Sequence, residues 1–124
     1  MRILVVEDDL KVGAFLEQGL RDEDIQVDRA YDSPEALMRA GAAQYDLILL
    51  DYMLPTRSGI EVTLELRAAG LRTPILMLTA RDAPEDRVVG FAAGVTEFLG
   101  KPFRFDDLLD RIHALVGGSA GRRT

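Results

Sequence analysis

Five short apolar runs alternate with five amphipathic segments, and this alternation constrains the fold more than any other feature of the chain. The runs are Ile3 to Val6, Gln26 to Ala30, Leu47 to Leu50, Ile75 to Leu78 and Glu97 to Leu99. The first, third and fourth are apolar at every position, the pattern of strands buried on both faces of a parallel sheet. The second alternates, as an edge strand does, and the fifth is short. Val12, Phe15, Leu16, Gly19 and Leu20 keep the i, i+3, i+4, i+7, i+8 spacing of a helix with one buried face. Ser33 followed by Pro34 predicts an N-cap and the first helical residue. Asp82 and Glu85 have the spacing of a capping box ahead of Val88, Phe91 and Ala92. Phe105, Leu108, Leu109, Ile112, Leu115 and Val116 form a single stripe on the last segment.

The stretch Ile60 to Arg67 conflicts with this scheme, because it alternates apolar and polar residues as a strand does. Two local signals and one topological argument favour a helix. Ser58 and Glu61 have capping-box spacing, and Gly70 stands where a C-terminal glycine belongs. Parallel neighbours also need a crossover of about a dozen residues or more, and this is the only segment between the third and fourth runs that supplies one. The expected fold is therefore (βα)5, one α/β domain over residues 1–116 with a doubly wound parallel sheet. Residues 117–124, Gly-Gly-Ser-Ala-Gly-Arg-Arg-Thr, lack an apolar period and read as a flexible linker or tail leading to a further domain.

Composition narrows the function. Of 124 residues, 48% are hydrophobic and 29% charged, which is ordinary for a soluble globular domain. No apolar run approaches the roughly 20 residues that span a bilayer, so a cytoplasmic protein without membrane contact is expected. The absence of cysteine excludes thiolate chemistry and zinc-thiolate sites, and a single histidine, His113, argues against a histidine-based metal centre. His113 reads as a solvated or packing residue. The net charge of −6 is the wrong sign for a duplex-binding surface, so DNA contact is expected only through a C-terminal domain beyond these residues.

In an open parallel α/β sheet, ligands bind outside the carboxyl ends of the strands. Glu7, Asp8 and Asp9 follow the first run, Asp51 the third, Thr79 the fourth and Lys101 the fifth. Carboxylates from Asp8, Asp9 and Asp51 brought together either bind protons more tightly or recruit a cation. All the candidate ligands are oxygens, so the cation is a hard one. Magnesium fits best, manganese is an acceptable substitute, and calcium needs more oxygens than these loops offer. Neither G-x-G-x-x-G nor G-x-x-x-x-G-K-[ST] occurs, which excludes nucleotide binding by those routes. A carboxylate nucleophile, a divalent ion, an ammonium and a hydroxyl together describe phosphoryl transfer to Asp51. An aspartate at a strand end is also a common N-cap, and Asp9 alone suits that role equally well.

Four segments together resemble the signature of receiver domains of two-component response regulators. They are Ile3-Leu4-Val5-Val6-Glu7-Asp8-Asp9, Leu49-Leu50-Asp51-Tyr52-Met53-Leu54-Pro55, Leu78-Thr79-Ala80-Arg81-Asp82 and Lys101-Pro102-Phe103. More closely, they are similar to receivers of the winged-helix transcription-factor subfamily, over residues 1 to about 116. The resemblance implies the flavodoxin-like strand order 2-1-3-4-5. It implies that Asp51 accepts the phosphoryl group from a sensor histidine kinase, and that Asp8, Asp9, Asp51 and the backbone carbonyl of Met53 hold Mg2+. Thr79 and Lys101 would bind the phosphoryl oxygens, and Lys101-Pro102 would be a cis peptide. Phe98 would be the switch aromatic, turning inward as Thr79 moves. The domain would be no enzyme beyond catalysing its own phosphorylation and dephosphorylation.

The resemblance further implies a homodimer face on helix 4, strand 5 and helix 5, to which Arg87, Glu97, Asp107 and Arg111 conform. Ala92 and Thr96 stand where the subfamily typically has aspartate, and Val95 where alanine is common, so a weak or differently arranged dimer is expected. Two rival functions fit the residues less well. A magnesium-dependent phosphatase acting through an aspartyl-phosphate needs a cap domain that this short chain lacks. A phosphorylation-independent binding module has no use for the acids, Thr79 and Lys101 together.

Overall fold

Strands and helices alternate in the computed structural model as β1 (Arg2–Val6), α1 (Leu10–Asp22), β2 (Gln26–Ala30), α2 (Ser33–Ala42), β3 (Leu47–Asp51), α3 (Gly59–Ala68), β4 (Ile75–Thr79), α4 (Pro84–Ala93), β5 (Glu97–Gly100) and α5 (Phe105–Gly121). The structure describes residues 1–55, 57–80 and 84–121, the last four by their backbone alone. The five strands are all parallel, in the order β2-β1-β3-β4-β5. The chain thus starts at an inner strand, winds out to β2, then reverses past β1 to β5, and the reversal leaves helices on both faces.

The strand period of two divides the core into two layers. Ile3, Val5, Leu47, Leu49, Leu76, Leu78 and Leu99 point one way and pack against Leu16 and Leu20 of α1 and Leu108 and Ile112 of α5. Leu4, Val6, Ile48, Leu50, Ile75, Met77 and Phe98 point the other way, against Ala36 and Ala40 of α2 and Val62 and Leu66 of α3. Every residue of β3 and β4 is buried. Truncating one such leucine to alanine costs about 2–5 kcal/mol.

The alternating stretch Ile60 to Arg67 is helical, and its ends explain why. Ser58 Oγ accepts from Glu61 N at 3.2 Å while Glu61 Oε1 accepts from Ser58 N at 3.4 Å, closing the capping box. At the far end Gly70 has φ +86°, and Gly70 N donates to Arg67 O while Leu71 N donates to Leu66 O, the two bonds of a Schellman motif. Thr63, buried in the middle, satisfies its hydroxyl on Gly59 O at 2.8 Å.

Two boundaries differ from the expectation. The cap of α2 is Asp32 rather than Ser33; its Oδ1 accepts from Glu35 N at 2.9 Å, and Glu35 Oε1 in turn accepts from Tyr31 N at 2.7 Å. The Asp32 carboxylate, a stronger acceptor than a hydroxyl, lies where it reaches an unpaired amide of the first turn. The helix α5 also continues through Gly121, beyond the Val116 boundary and into the segment read as a linker. Extending an existing helix is far easier than starting one, so glycines alone are weak stop signals. Asp82, half of the capping box expected before α4, and Arg122 to Thr124 lie outside the described residues. No described helix is long and apolar enough to cross a membrane.

Candidate functional site

The parallel register brings the ends of β1, β3, β4 and β5 to one edge. Asp51 closes β3 and is 6% exposed, and Thr79 closes β4, fully buried. Lys101 follows β5, where its N donates to Thr79 O at 2.8 Å and fastens the β5–α5 loop to β4. The Lys101–Pro102 peptide is cis, as the resemblance implied. Lys101 Nζ donates to Asp51 Oδ1 at 2.9 Å. The turn after β3 is closed by Gly59 N donating to Tyr52 O at 2.7 Å and by a bridge between Met53 and Ser58. A Cβ on Gly59 would lie 2.7 Å from Asp51 O, so only glycine lets α3 begin directly beneath the aspartate. Met53, two residues past Asp51, is exposed at the rim.

The acidic cluster is not the one expected. Glu7, Asp8 and Asp51 each offer a carboxylate oxygen, and these atoms lie within 4.8 Å of one another. Asp9 is drawn away from them: its Oδ1 caps α1, accepting from Lys11 N at 2.9 Å and Val12 N at 3.1 Å. The unpaired amides of a first helical turn compete for that carboxylate and hold it. Glu7 takes its place. It continues β1, with its N donating to Ala30 O at 3.0 Å, and is only 3% exposed. The missed signal was its position directly after an all-apolar run, which buries whatever side chain comes next on that strand.

Charge is crowded here. Burial first, and then the like charge of Asp51, push the Glu7 carboxyl up to about 7, against the opposing pull of the Asp9 amide and Lys101. Burial pulls the Lys101 ammonium down, yet its hydrogen bond to Asp51 and the charges of Asp51, Glu7 and Asp8 outweigh that and raise its pKa overall. Glu7 Oε2 accepts from Asp9 N at 3.2 Å. Glu7 Oε1 is buried and 3.7 Å from Lys101 Nζ, close enough for an ion pair but too far for a hydrogen bond, and it finds no hydrogen-bond partner among the described residues. An all-oxygen donor set with excess negative charge and an unsatisfied buried oxygen fits a hard divalent cation.

The other predicted residues occupy the β5 edge. Phe98 is fully buried, its ring edge-on to Phe91 at 5.2 Å, with the Arg87 guanidinium 5.7 Å from its centroid. Glu97 and Arg111 pair within the chain at 3.8 Å, and Arg111 Nη1 donates to Phe98 O at 3.0 Å. Asp107 is exposed on α5. Thr96 uses its hydroxyl to accept from Ile75 N at 2.9 Å, while Ala92 is exposed on α4.

An acidic cluster that fits a divalent cation, built around a buried aspartate at the carboxyl edge of a 2-1-3-4-5 sheet, is the arrangement of a phosphoacceptor module. Residues 3–113 match the response regulator receiver domain family, and the chain belongs to it. Over 122 residues, 98% of the chain, it is 43% identical to the response regulator protein PmrA of Pseudomonas aeruginosa, covering 55% of that protein. It is 44% identical over 115 residues to the transcriptional regulatory protein TcrA of Mycobacterium tuberculosis, covering 93% of this chain and 46% of that one. The chain thus spans about half the length of the curated relatives it matches. Among solved structures, the receiver domain of the Francisella response regulator 1452 superposes with a TM-score of 0.90 at 32% identity, covering 95% of this chain and 98% of that one. The response regulator TrrA of Thermotoga maritima, solved with Mg(2+)-BeF, superposes with a TM-score of 0.82 at 33% identity, covering 92% and 97%.

Proposed function

We propose that this domain is a phosphorylation-activated switch whose phosphoacceptor is Asp51. The observation that carries the reading is the cluster of Glu7, Asp8 and Asp51 around a single ammonium, Lys101, 2.9 Å from Asp51 Oδ1. An Asp51 carboxylate oxygen attacks the phosphorus of a sensor kinase's phosphohistidine; the new O–P bond forms as the N–P bond breaks, and the imidazole leaves with the electron pair and takes up a proton. Glu7, Asp8, Asp51 and the Met53 carbonyl would hold Mg2+, or Mn2+ in its stead, which supplies positive charge to the phosphoryl oxygens. Lys101 would neutralise one oxygen and orient Asp51, and the Thr79 hydroxyl would donate to another.

Beyond turning over its own acyl phosphate, the domain is no enzyme. That several relatives are transcriptional regulators supports a transcription-regulating output, which would be reached through a DNA-binding domain beyond these residues and within the cytoplasm. That output is read from α4, β5 and α5, where Arg87, Glu97, Asp107 and Arg111 would form the face of a weak homodimer. Moving a two-state equilibrium from 1:99 to 99:1 takes about 5.5 kcal/mol, which several charge-assisted contacts to one phosphoryl group can supply. Phosphoryl transfer from acetyl phosphate or the cognate kinase tests the assignment. Wild type acquires an acid-stable, base-labile label and Asp51→Asn acquires none; full labelling of Asp51→Asn overturns it.

A further inference from the structure

The buried ring of Phe98 sits against α4 at the one place where the helix has no side chain to obstruct it. A Cβ built on Gly90 would lie 2.2 Å from Phe98 Cζ, 2.9 Å from Cε2 and 3.3 Å from the δ1 methyl of Ile60. The first two distances are below any real carbon–carbon contact, so the ring or the helix has to move if residue 90 gains a methyl group. Gly90 and Ala93 are the only buried residues of α4, while Val88, Val89 and Phe91 on the same helix are exposed. The helix therefore rests on β5 largely through this contact. From outside, Phe91 closes edge-on over the ring and the Arg87 guanidinium lies near its face. The strand below is pinned as well, because Arg111 donates to Phe98 O and Glu97 Oε1 accepts from Phe98 N at 2.9 Å. With its backbone held, Phe98 has only its side-chain rotamer left to change.

We propose that Gly90 is the slot that admits the Phe98 ring, so that seating the ring and holding α4 close to β5 are one event. The slot makes residue 90 a positioning residue for the switch: an occupied Asp51 changes the exposed face of α4 through the ring that Gly90 accommodates. This last step rests on the phosphoacceptor reading; the slot itself does not.

Thermal melting, methyl NMR and binding of beryllium trifluoride with Mg2+ test the proposal on Gly90→Ala, Phe98→Leu and the double variant. Alanine is the better helix former, so away from a clash Gly90→Ala raises Tm. Against Phe98 it lowers Tm, and in the Phe98→Leu background, where Cζ and Cε2 are gone, it raises Tm. The Ile60 δ1 methyl resonance in Gly90→Ala moves toward its position in Phe98→Leu, reporting the displaced ring. A raised Tm in the Phe98 background, or an Ile60 methyl unmoved by Gly90→Ala, overturns the slot. If Gly90→Ala does not fold, a folded double variant supports the slot and an unfolded one overturns it. Gly90→Ala also binds the phosphoryl mimic more weakly than wild type, and the difference vanishes in the Phe98→Leu background; equal affinities with Phe98 present overturn the coupling to Asp51. Wild type failing to bind the mimic at all defeats the phosphoacceptor reading instead, and the slot is then decided by Tm and the methyl shift alone.

Discussion

The two ends of the sheet carry polar groups in opposite ways. At the amino end, demands are met. Asp28 Oδ2 accepts from Arg2 Nη2 at 2.7 Å, Arg2 Nε at 3.1 Å and the Tyr45 hydroxyl at 2.7 Å, while Arg2 also lies over the Tyr45 ring. The Tyr45 bond foremost, and then Arg2, lower the Asp28 pKa against its desolvation. On the β4–β5 side of the same end, Arg67 fastens three loop carbonyls, donating to Gly94 O from Nε and Nη2 and to Leu71 O and Thr73 O from Nη1, all between 2.8 and 3.1 Å. At the carboxyl end, three carboxylates face one lysine and a buried oxygen goes without a hydrogen bond among the described residues. The satisfied end holds the loops in place, and the unsatisfied end is poised for a ligand.

Breaking the satisfied end has the largest effect on stability. Arg67→Met leaves half-buried carbonyls without their donor at three loop positions, and at about 1 kcal/mol for each such bond the loss is roughly 3 kcal/mol. Urea unfolding of the variant measures it, and a loss below about 1 kcal/mol contradicts the hub. The opposite sign is expected at the other end. Glu7 has a folded pKa of about 7 against an ordinary 4.5, so the folded state holds its proton more tightly than the unfolded state does. In metal-free buffer its contribution is therefore favourable below about pH 4.5 and is lost as pH rises to about 7. Glu7→Gln removes that dependence and stabilises the metal-free protein at pH 8 by about 1–2 kcal/mol, read from melts across pH. A Tyr45→Phe change loses one hydrogen bond to an already well-served Asp28 and costs about 1 kcal/mol. Comparable in size is Arg111→Ala, which loses a half-exposed pairing with Glu97 worth about 0–1 kcal/mol and the bond to Phe98 O, about 1 kcal/mol in all.

How far the sequence discloses this structure follows the same division. The buried strands are plain because burial on both faces leaves an uninterrupted apolar run, as in Leu47 to Leu50. The helix α3 is legible from its ends and from the crossover it must supply, not from its period, because Thr63 sits in the core with its hydroxyl satisfied inside the helix, disguising the 3.6 period. Asp51, Thr79 and Lys101 are legible because strand ends converge. The choice between Glu7 and Asp9 is not, since it depends on which acid the first turn of α1 captures. Nothing along the chain marks Arg67, whose partners are ordinary backbone carbonyls.

Magnesium calorimetry on wild type, Glu7→Gln and Asp9→Ser tests the account most directly, with serine chosen to keep the cap of α1. Wild type and Asp9→Ser are expected to take up Mg2+ with similar affinity, and Glu7→Gln at least tenfold more weakly, a difference of about 1.4 kcal/mol. No uptake by wild type, or binding that depends on Asp9 and not on Glu7, would contradict it.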